Sequence, residues 1–212
     1  MDRINDLQPG VPVILADGLF PESKRVLQYL EEASAIICCD GATVKLLKYG
    51  MHPTHIVGDM DSLPQQYQRQ FDHLIVASKD QETNDLTKAI NKALSLGFEQ
   101  VVILGATGHR EDHTLGNIGL LVKHGQKLQV QMLSDYGVFT PLYTSASFAA
   151  YPAQQVSIFS IVGTPAITST NLKYPLQKLQ LTNLWQGTLN ESLGKEFSLE
   201  FSEGGLVVFR VF

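Results

Sequence analysis

Short apolar runs alternate with helix-like segments over about the first 135 residues, and this alternation limits the possible folds more than any other feature. Six runs have the length of buried strands, at residues 11–16, 35–39, 55–57, 74–77, 101–104 and 130–133. Strands separated by helices pair in parallel and are covered on both faces. The sequence therefore predicts an α/β domain with a parallel sheet over residues 1–135.

Two of the intervening segments have a clear helical period. Residues 85–96 place five apolar side chains on one stripe, namely Leu86, Ala89, Ile90, Ala93 and Leu94, and Gly97 follows as a stop. Residues 112–123 form a second predicted helix, with Leu115, Ile118, Gly119 and Val122 facing inward.

After Asp135 the helical period disappears, and short β-rich runs follow at regular intervals. These runs cover residues 137–143, 147–151, 156–161, 178–182, 196–201 and 206–212. Turn residues separate them, which is typical of a small sandwich or barrel. We place a domain boundary between residues 134 and 140 and predict an all-β sandwich domain over residues 138–212.

Composition and charge disfavour several classes of protein. Hydrophobic residues make up 44% of the chain, so disorder is not the expected state. The 16 basic and 21 acidic residues give a net charge of −5 without a basic block, which argues against a nucleic-acid partner. No run approaches the roughly 20 apolar residues of a membrane span, and no signal peptide is evident. The adjacent Cys38 and Cys39 are expected to be buried thiols, so we expect a cytoplasmic protein.

Acidic residues follow three successive predicted strands. Asp40 follows the second strand, Asp59 and Asp61 follow the third, and Asp85 opens the helix after the fourth. Because the carboxyl ends of parallel strands meet at one edge of a sheet, these carboxylates are expected to lie close together. Magnesium takes oxygen ligands, usually one or two carboxylates together with phosphates and waters. The pattern favours a site for magnesium and a polyphosphate.

Each acidic position also has a simpler interpretation. In an extended segment Asp59 and Asp61 face the same way and converge, which is costly unless a cation lies between them. The alternative is a solvated acidic turn. Asp85 has Lys88 one turn later on the same helix face, but an aspartate there is also a common favourable charge at a helix N-terminus.

A glycine-bearing turn follows the fifth strand, beginning at Gly105. Backbone N–H groups of such a turn can bind phosphate, and Arg110 can pair with it in bidentate fashion. Asp112 is predicted to cap the following helix and to orient Arg110 or a metal-bound water. His109 and His113 are four residues apart, but no cysteine or third histidine accompanies them, which disfavours zinc.

Four ordered motifs resemble those of thiamine pyrophosphokinases. They are Cys-Asp-Gly-Ala at 39–42, Gly-Asp-Met-Asp-Ser at 58–62, Asp-x-x-x-x-Asp-Leu-Thr-Lys-Ala at 80–89 and Gly-Ala-Thr-Gly-His-Arg-x-Asp-His-Thr-Leu-x-Asn at 105–117. Residues 171–176 and 187–191 are similar to that family's C-terminal signatures. The resemblance therefore covers nearly the whole chain.

The resemblance implies an α/β nucleotide-binding domain followed by a β-sandwich, assembled as a homodimer. The implied reaction transfers a diphosphoryl group from ATP to thiamine, giving thiamine diphosphate and AMP, with Mg²⁺ as cofactor. The implied catalytic residues are Asp40, Asp59, Asp61, Asp85 and Lys88, of which Asp59, Asp61 and Asp85 would bind the metal. ATP contacts are expected from Gly105, Thr107, Arg110 and Asp112. Thiamine contacts are expected from Gln81 and Asn190, the latter in a pocket between subunits.

The residues leave parts of the mechanism open. Either Asp40 or Asp61 could accept the proton of the thiamine hydroxyl. Thiamine is a cation, so Trp185 or Tyr174 could stack on its rings, although Trp185, the chain's one tryptophan, could equally belong to the core.

The chain also departs from the family pattern at several positions. His109 stands in place of a frequent glycine, Asn84 in place of a threonine and Leu189 in place of a serine, and Cys39 replaces a usual alanine. None of these departures removes a charged group that the chemistry needs.

Two other classes of function share parts of this pattern. A phosphatase could use Asp59 as a nucleophile and Asp61 as an acid. Such sites follow a longer unbroken strand, whereas His55 and Gly58 interrupt this one. A non-catalytic sensor of nucleotide or thiamine could use the same fold, because fold alone does not fix function.

Overall fold

The computed structural model describes residues 2–77 and 82–212. Gln81, predicted to contact thiamine, lies outside the described residues. The chain divides into two compact units. The α/β unit comprises Leu7–Leu120 and Lys127–Asp135, and the β-rich unit comprises the N-terminal residues through Asp6, Leu121–Gln126 and Tyr136–Phe212. Among the described residues, no helix is long and apolar enough to cross a membrane.

Strands and helices alternate as far as residue 135. In chain order the elements are β1 (Asp2–Ile4), β2 (Val13–Leu15), α1 (Lys24–Glu31), β3 (Ile36–Cys39), α2 (Ala42–Tyr49), β4 (His55–Gly58), α3 (Gln65–Gln70), β5 (Ile75–Ala77), α4 (Asp85–Ser95), β6 (Gln100–Leu104), α5 (Glu111–His124) and β7 (Gln129–Ser134). A short 3-10 helix at Asp72–Leu74 precedes β5. All six strands predicted in this part of the chain are present.

The α/β unit is built on a parallel sheet with the strand order β7-β6-β2-β3-β4-β5. The order runs outward from β2 through β5 and then returns to the other side of β2 with β6. Val13, Ile14 and Leu15 of the central strand are completely buried, as expected for a strand covered on both faces. Ligands of such sheets bind where the strand order reverses, which here is the carboxyl edge of β2 and β6.

Helix α4 confirms the predicted apolar stripe, since Leu86, Ala89, Ile90 and Ala93 are buried and Leu94 is half-buried. The inward direction predicted for Leu115 in α5 is wrong, because its side chain is 60% exposed. His113 and Asn117 line a cavity from the same face of α5. At 100° per residue, Leu115 lies on the opposite side of the helix from both of them.

The β-rich unit contains the remaining strands. They are β8 (Gly137–Leu142), β9 (Ala146–Ala149), β10 (Gln155–Val162), β11 (Ala166–Thr170), β12 (Leu179–Gln180), β13 (Asn190–Glu191), β14 (Glu196–Glu200) and β15 (Gly205–Val211), with a 3-10 helix at Leu184–Gly187. One group of strands pairs in the order β1-β9-β14-β11-β12 and a second in the order β13-β10-β15-β8. Strands β1, β11 and β13 were not predicted.

One apolar core serves both groups of strands in the β-rich unit. Phe148 of β9 and Phe197 of β14 stack with their ring centroids 5.1 Å apart. Ile158 of β10 and Val208 of β15 belong to the same buried cluster. Together with the parallel sheet, this arrangement confirms a mixed α/β protein.

Candidate active site

A cavity of about 470 Å³ lies at the carboxyl edge of the parallel sheet. Its walls come from the segments after β2, β3, β4 and β6 and from the start of α4. The predicted residues that line it are Asp40, Asp59, Asp85, Lys88 and Arg110. The structure therefore brings together charged residues that are up to 70 positions apart in the sequence.

Asp40 is the most deeply buried carboxylate of the cavity. It is only 4% exposed, and its Oδ2 accepts a hydrogen bond from the Ser62 backbone N–H at 3.0 Å. Its Oδ1 is buried without a hydrogen-bond partner among the described residues. Burial raises the pKa of Asp40, the Ser62 N–H lowers it, and the negative charges of Asp85, Asp59 and Asp17 raise it further. A cation beside these carboxylates would relieve the repulsion.

Gly58, the last residue of β4, makes room for Asp40. A Cβ at position 58 would lie 2.9 Å from the Asp40 Cβ, closer than real Cβ atoms approach. The glycine therefore allows the ends of β3 and β4 to lie side by side with an aspartate between them.

Asp59 and Asp61 do not have the extended geometry that was predicted for them. Met60 between them has a left-handed backbone with φ of 70°, and the Asp61 N–H donates to Asp59 Oδ1 at 3.1 Å. Such turns replace the extended chain because the aspartate side chain bonds to the backbone two residues ahead. Asp59 lines the cavity, whereas Asp61 is exposed and is not among the lining residues. The metal-binding role of Asp61 stays a prediction.

The first turn of α4 carries an ion pair into the cavity. Asn84 caps the helix, with its Oδ1 accepting from the Thr87 N–H at 3.0 Å. Lys88 Nζ lies 3.1 Å from Asp85 Oδ1, which confirms that the two side chains share a face. The cap therefore fixes the start of the helix that presents both charges.

The glycine turn after β6 is locked to the turn after β2. The Gly18 N–H donates to the Gly105 carbonyl at 2.6 Å, and the Leu19 N–H donates to the Thr107 carbonyl at 2.8 Å. Neither Gly105 nor Thr107 is among the lining residues, so their predicted contacts with ATP stay predictions. His109 lines the cavity and has φ of 60°, a left-handed conformation that glycine adopts most readily and histidine more readily than most residues.

Arg110 and Asp112 form a bidentate ion pair at the exposed mouth of the cavity. The Nε–Oδ1 and Nη2–Oδ2 distances are 3.1 and 2.6 Å. The hydrogen bond from Arg110 lowers the pKa of Asp112 to about 2. Asp112 is the second residue of α5, so the prediction that it caps this helix is wrong, although its Oδ1 accepts the His113 N–H. The ion pair places Asp112 in contact with Arg110, and its role in orienting Arg110 stays a prediction.

Several lining residues were missed by the sequence analysis. Asp17 lines the cavity two residues after the end of β2 and pairs with Lys45 at 2.7 Å. The signal that singled out Asp40, an acid directly beyond a strand, applies equally to Asp17. Asn84 and Asn117 also line the cavity, and neither had been given a role.

Asn190, predicted to contact thiamine, lies in the β-rich unit and is 5% exposed. Its Oδ1 accepts from the backbone N–H groups of Tyr174 and Glu191, at 3.1 and 2.8 Å. Its Nδ2 donates to the Tyr174 carbonyl at 2.7 Å. The amide of Asn190 thus holds the backbone at Tyr174, whose own side chain is exposed.

The donor set of the cavity suits a hard cation. Within residues 2–77 and 82–212, no group of three histidine, cysteine, aspartate or glutamate side chains is arranged to hold a metal by itself. Magnesium needs only one or two carboxylates when substrate phosphates and waters complete its shell. The carboxylates of Asp59 and Asp85 are oxygen donors of that kind.

A parallel sheet with a carboxylate-lined cavity at its strand-order reversal defines an α/β protein with a ligand site at the carboxyl edge of the sheet. Two family models match the chain. They are "Thiamin pyrophosphokinase, catalytic domain" over residues 26–132 and "Thiamin pyrophosphokinase, substrate-binding domain" over residues 137–209. The chain belongs to the thiamine pyrophosphokinase family.

Individual relatives agree with this assignment. A thiamine pyrophosphokinase of Bacillus subtilis is 31% identical over 196 residues, which cover 86% of this chain and 89% of the relative. The crystal structure of thiamine pyrophosphokinase from the same organism superposes with a TM-score of 0.78 and 25% identity, covering 95% of this chain and 98% of the other. Yeast thiamin pyrophosphokinase has the same fold, with a TM-score of 0.81 at 14% identity over 100% of this chain and 91% of the other.

Proposed function

We propose that the protein transfers a diphosphoryl group from ATP to thiamine, forming thiamine diphosphate and AMP in a Mg²⁺-dependent reaction. One observation carries the proposal. The carboxylates of Asp40, Asp59 and Asp85 line a single cavity together with the Lys88 ammonium group. Phosphoryl transfer depends on positioning and on charge stabilisation, and this arrangement supports both.

The carboxylates of Asp59, Asp61 and Asp85 are the proposed metal ligands. Asp59 and Asp85 already line the cavity, and Asp61 is two residues from Asp59 on an exposed turn. Bound magnesium would neutralise negative charge on the phosphates. Lys88 and Arg110 would add positive charge where the leaving phosphate develops negative charge.

The turn after β6 and the Arg110–Asp112 pair are the proposed binding site for the ATP phosphates. Gly105 and Thr107 shape this turn, and Arg110 stands at its end with its side chain 72% exposed. A guanidinium group binds phosphate in the same bidentate geometry in which Arg110 binds Asp112 here. We propose that Asp112 holds Arg110 extended at the cavity mouth until ATP arrives.

The chemical step is an in-line displacement. The hydroxyl oxygen of thiamine forms a bond to the β-phosphorus of ATP, the bond from that phosphorus to the α-phosphate oxygen breaks, and AMP leaves. The hydroxyl proton passes to a carboxylate, either Asp40 or Asp61. Asp40 is the better acceptor of the two, because burial raises its pKa and its Oδ1 has no other hydrogen-bond partner among the described residues.

Thiamine binding and dimerisation are the proposed functions of residues 138–212. Trp185 is 72% exposed and Tyr174 is 60% exposed, so both rings are available to stack on a cation. Leu184 and Leu189 are exposed as well, and exposed apolar side chains in one segment are typical of an interface. We propose that Gln81 and Asn190 contribute to a thiamine pocket formed between two subunits. Light scattering should then give twice 23.4 kDa, and a strict monomer at micromolar concentration would contradict the shared pocket.

Product analysis separates the proposed activity from its alternatives. The protein is incubated with thiamine, ATP and Mg²⁺, and AMP, ADP, phosphate and thiamine diphosphate are resolved by chromatography. We expect AMP and thiamine diphosphate in equal amounts, with no product after chelation of the metal and much less product in the Asp59→Asn variant at the same Mg²⁺ concentration. Phosphate alone would indicate a phosphatase, and tight ligand binding without turnover would indicate a sensor.

A further inference from the structure

Two asparagine side chains connect opposite walls of the cavity in the α/β unit. Asn84 Nδ2 donates a hydrogen bond to Asn117 Oδ1 at 3.4 Å, and Asn117 Nδ2 donates to the Ala106 carbonyl at 2.9 Å. We refer to this chain of hydrogen bonds, from residue 84 through residue 117 to residue 106, as the amide bridge. All three of its residues line the cavity.

The hydrogen-bond partners fix the orientation of both amides. Asn84 Oδ1 is taken by the Thr87 N–H at 3.0 Å, so its NH₂ group is the part that faces Asn117. The NH₂ group of Asn117 is taken by the Ala106 carbonyl, so its oxygen faces Asn84. A side-chain amide is the group that carries both a donor and an acceptor at this reach. A hydroxyl at position 84 could cap the helix, but its oxygen lies one bond closer to the backbone than the amide nitrogen. Since the contact from Asn84 to Asn117 is already 3.4 Å long, a hydroxyl that caps the helix is too short to reach Asn117.

The amide bridge joins the two parts of the site that must act together. On one side, Asn84 is directly followed by Asp85, which pairs with Lys88. On the other side, Ala106 lies within the turn proposed to bind the ATP phosphates. The bridge therefore fixes the separation between the metal-binding carboxylate with its lysine and the phosphate-binding turn.

We propose that Asn84 and Asn117 are positioning residues, which hold the first turn of α4 at the correct distance from the turn after β6. This inference rests on the proposed function, since it concerns the same reaction. Its consequence is kinetic, because a misplacement of about 1 Å can lower the rate about 100-fold. The bridge also gives a role to Asn84, which stands where the family often has a threonine.

The sharpest variant is Asn84→Thr, because threonine keeps an oxygen that can cap α4 but lacks the longer amide arm that reaches Asn117. Asn117→Ala removes the other half of the bridge. Asn91→Thr is the matched control, since Asn91 lies on the same helix and is exposed. For each variant we would measure kcat, the KM for ATP and for thiamine, the thermal midpoint, and the Kd of a non-hydrolysable ATP analogue with Mg²⁺ by calorimetry.

We expect Asn84→Thr and Asn117→Ala each to lower kcat roughly 10-fold or more, with the Kd of the analogue changed less than about 3-fold. The double variant should be no slower than the slower single variant, because both substitutions break the same bridge. Asn91→Thr should behave as wild type.

The proposed function and the bridge can fail separately. If wild type forms thiamine diphosphate but Asn84→Thr and Asn117→Ala both retain its kcat, the bridge has no positioning role. Strictly multiplicative losses in the double variant, or losses explained by a lower thermal midpoint alone, would also overturn it. A wild type that transfers no diphosphate would overturn both proposals.

Discussion

Lys88 Nζ lies 3.1 Å from Asp85 Oδ1 across one turn of α4, and only 8% of the lysine side chain is exposed, against 36% of the aspartate. The lysine is therefore shielded from water, whereas water can reach the carboxylate. A buried ammonium group interacts more strongly with a phosphate than an exposed one, because water screens it less. The geometry makes Lys88 the main fixed positive charge of the inner cavity wall.

Replacing Lys88 with methionine should lower kcat by roughly 100-fold to 1,000-fold, the loss typical when one stabilising charge is removed from a transition state. The fold should persist, because Asp85 keeps access to water. Steady-state kinetics and circular dichroism would test both statements. Lys92→Met on the same helix is the control, since Lys92 does not line the cavity. A Lys88→Met enzyme within threefold of wild type would remove the lysine from the mechanism.

The two aspartates after β4 should differ in their effect on magnesium. Asp59 lines the cavity while Asp61 is exposed, so Asp59→Asn should raise the Mg²⁺ concentration for half-maximal activity more than Asp61→Asn does. Titration of activity with Mg²⁺ at saturating ATP and thiamine measures both values. If Asp61→Asn has the metal requirement of wild type, Asp61 is not a ligand.

Gly18→Ala should disrupt the contact between the turn after β2 and the turn after β6, which border the cavity. The added Cβ would lie 2.5 Å from both the Gly105 and the Thr107 carbonyl oxygens, so the two turns must move apart. We expect a lower thermal midpoint and a loss of activity. Gly119→Ala in α5 is the matched control, since nothing lies within 4 Å of its Cβ and alanine favours a helix by about 1 kcal/mol. Equal behaviour of the two variants would contradict this account of the turns.

Asp6→Ala should destabilise the β-rich unit strongly. Arg210 is 2% exposed, donates to Asp6 Oδ1 and to the Ala149 carbonyl, and packs over the Phe148 ring. Loss of the carboxylate leaves a buried cation with the Ala149 carbonyl as its remaining partner. Breaking a fully buried pair costs about 3–5 kcal/mol, and we expect a loss at the lower end of that range because 40% of the Asp6 side chain is exposed. Denaturant unfolding of Asp6→Ala, Arg210→Met and the double variant measures the coupling. We expect the double variant to be more stable than Asp6→Ala, and an additive result would argue against the pair.

Local patterns in the sequence were enough to predict most of the strands and helices. The strand–helix alternation predicted the α/β part, and the stripe from Leu86 to Ala93 predicted α4. Strand β1 was not predicted because only three residues form it and its partner β9 is about 140 positions away in the sequence. Leu115 was misplaced because an apolar residue was assumed to face the core, whereas the inner face of α5 at this point is polar and lines the cavity.

The sequence predicted which residues form the site, but it did not predict how their side chains and backbone are arranged. An acid after each of three strands pointed to Asp40, Asp59 and Asp85, since parallel strands end at one edge. The turn at Met60 and the amide bridge could not be predicted, because they depend on backbone angles and on contacts 33 residues apart. The expected cytoplasmic location and the absence of a nucleic-acid partner stay predictions from composition.

The most direct test of the central claim follows the two outer phosphates of ATP. Thiamine and Mg²⁺ are supplied in parallel reactions with ATP labelled at the β-phosphorus or at the γ-phosphorus, and the products are separated. Diphosphoryl transfer predicts that both labels enter thiamine diphosphate in equal yield and that AMP stays unlabelled. Entry of the γ label alone, with the β label left in ADP, would contradict the proposed reaction.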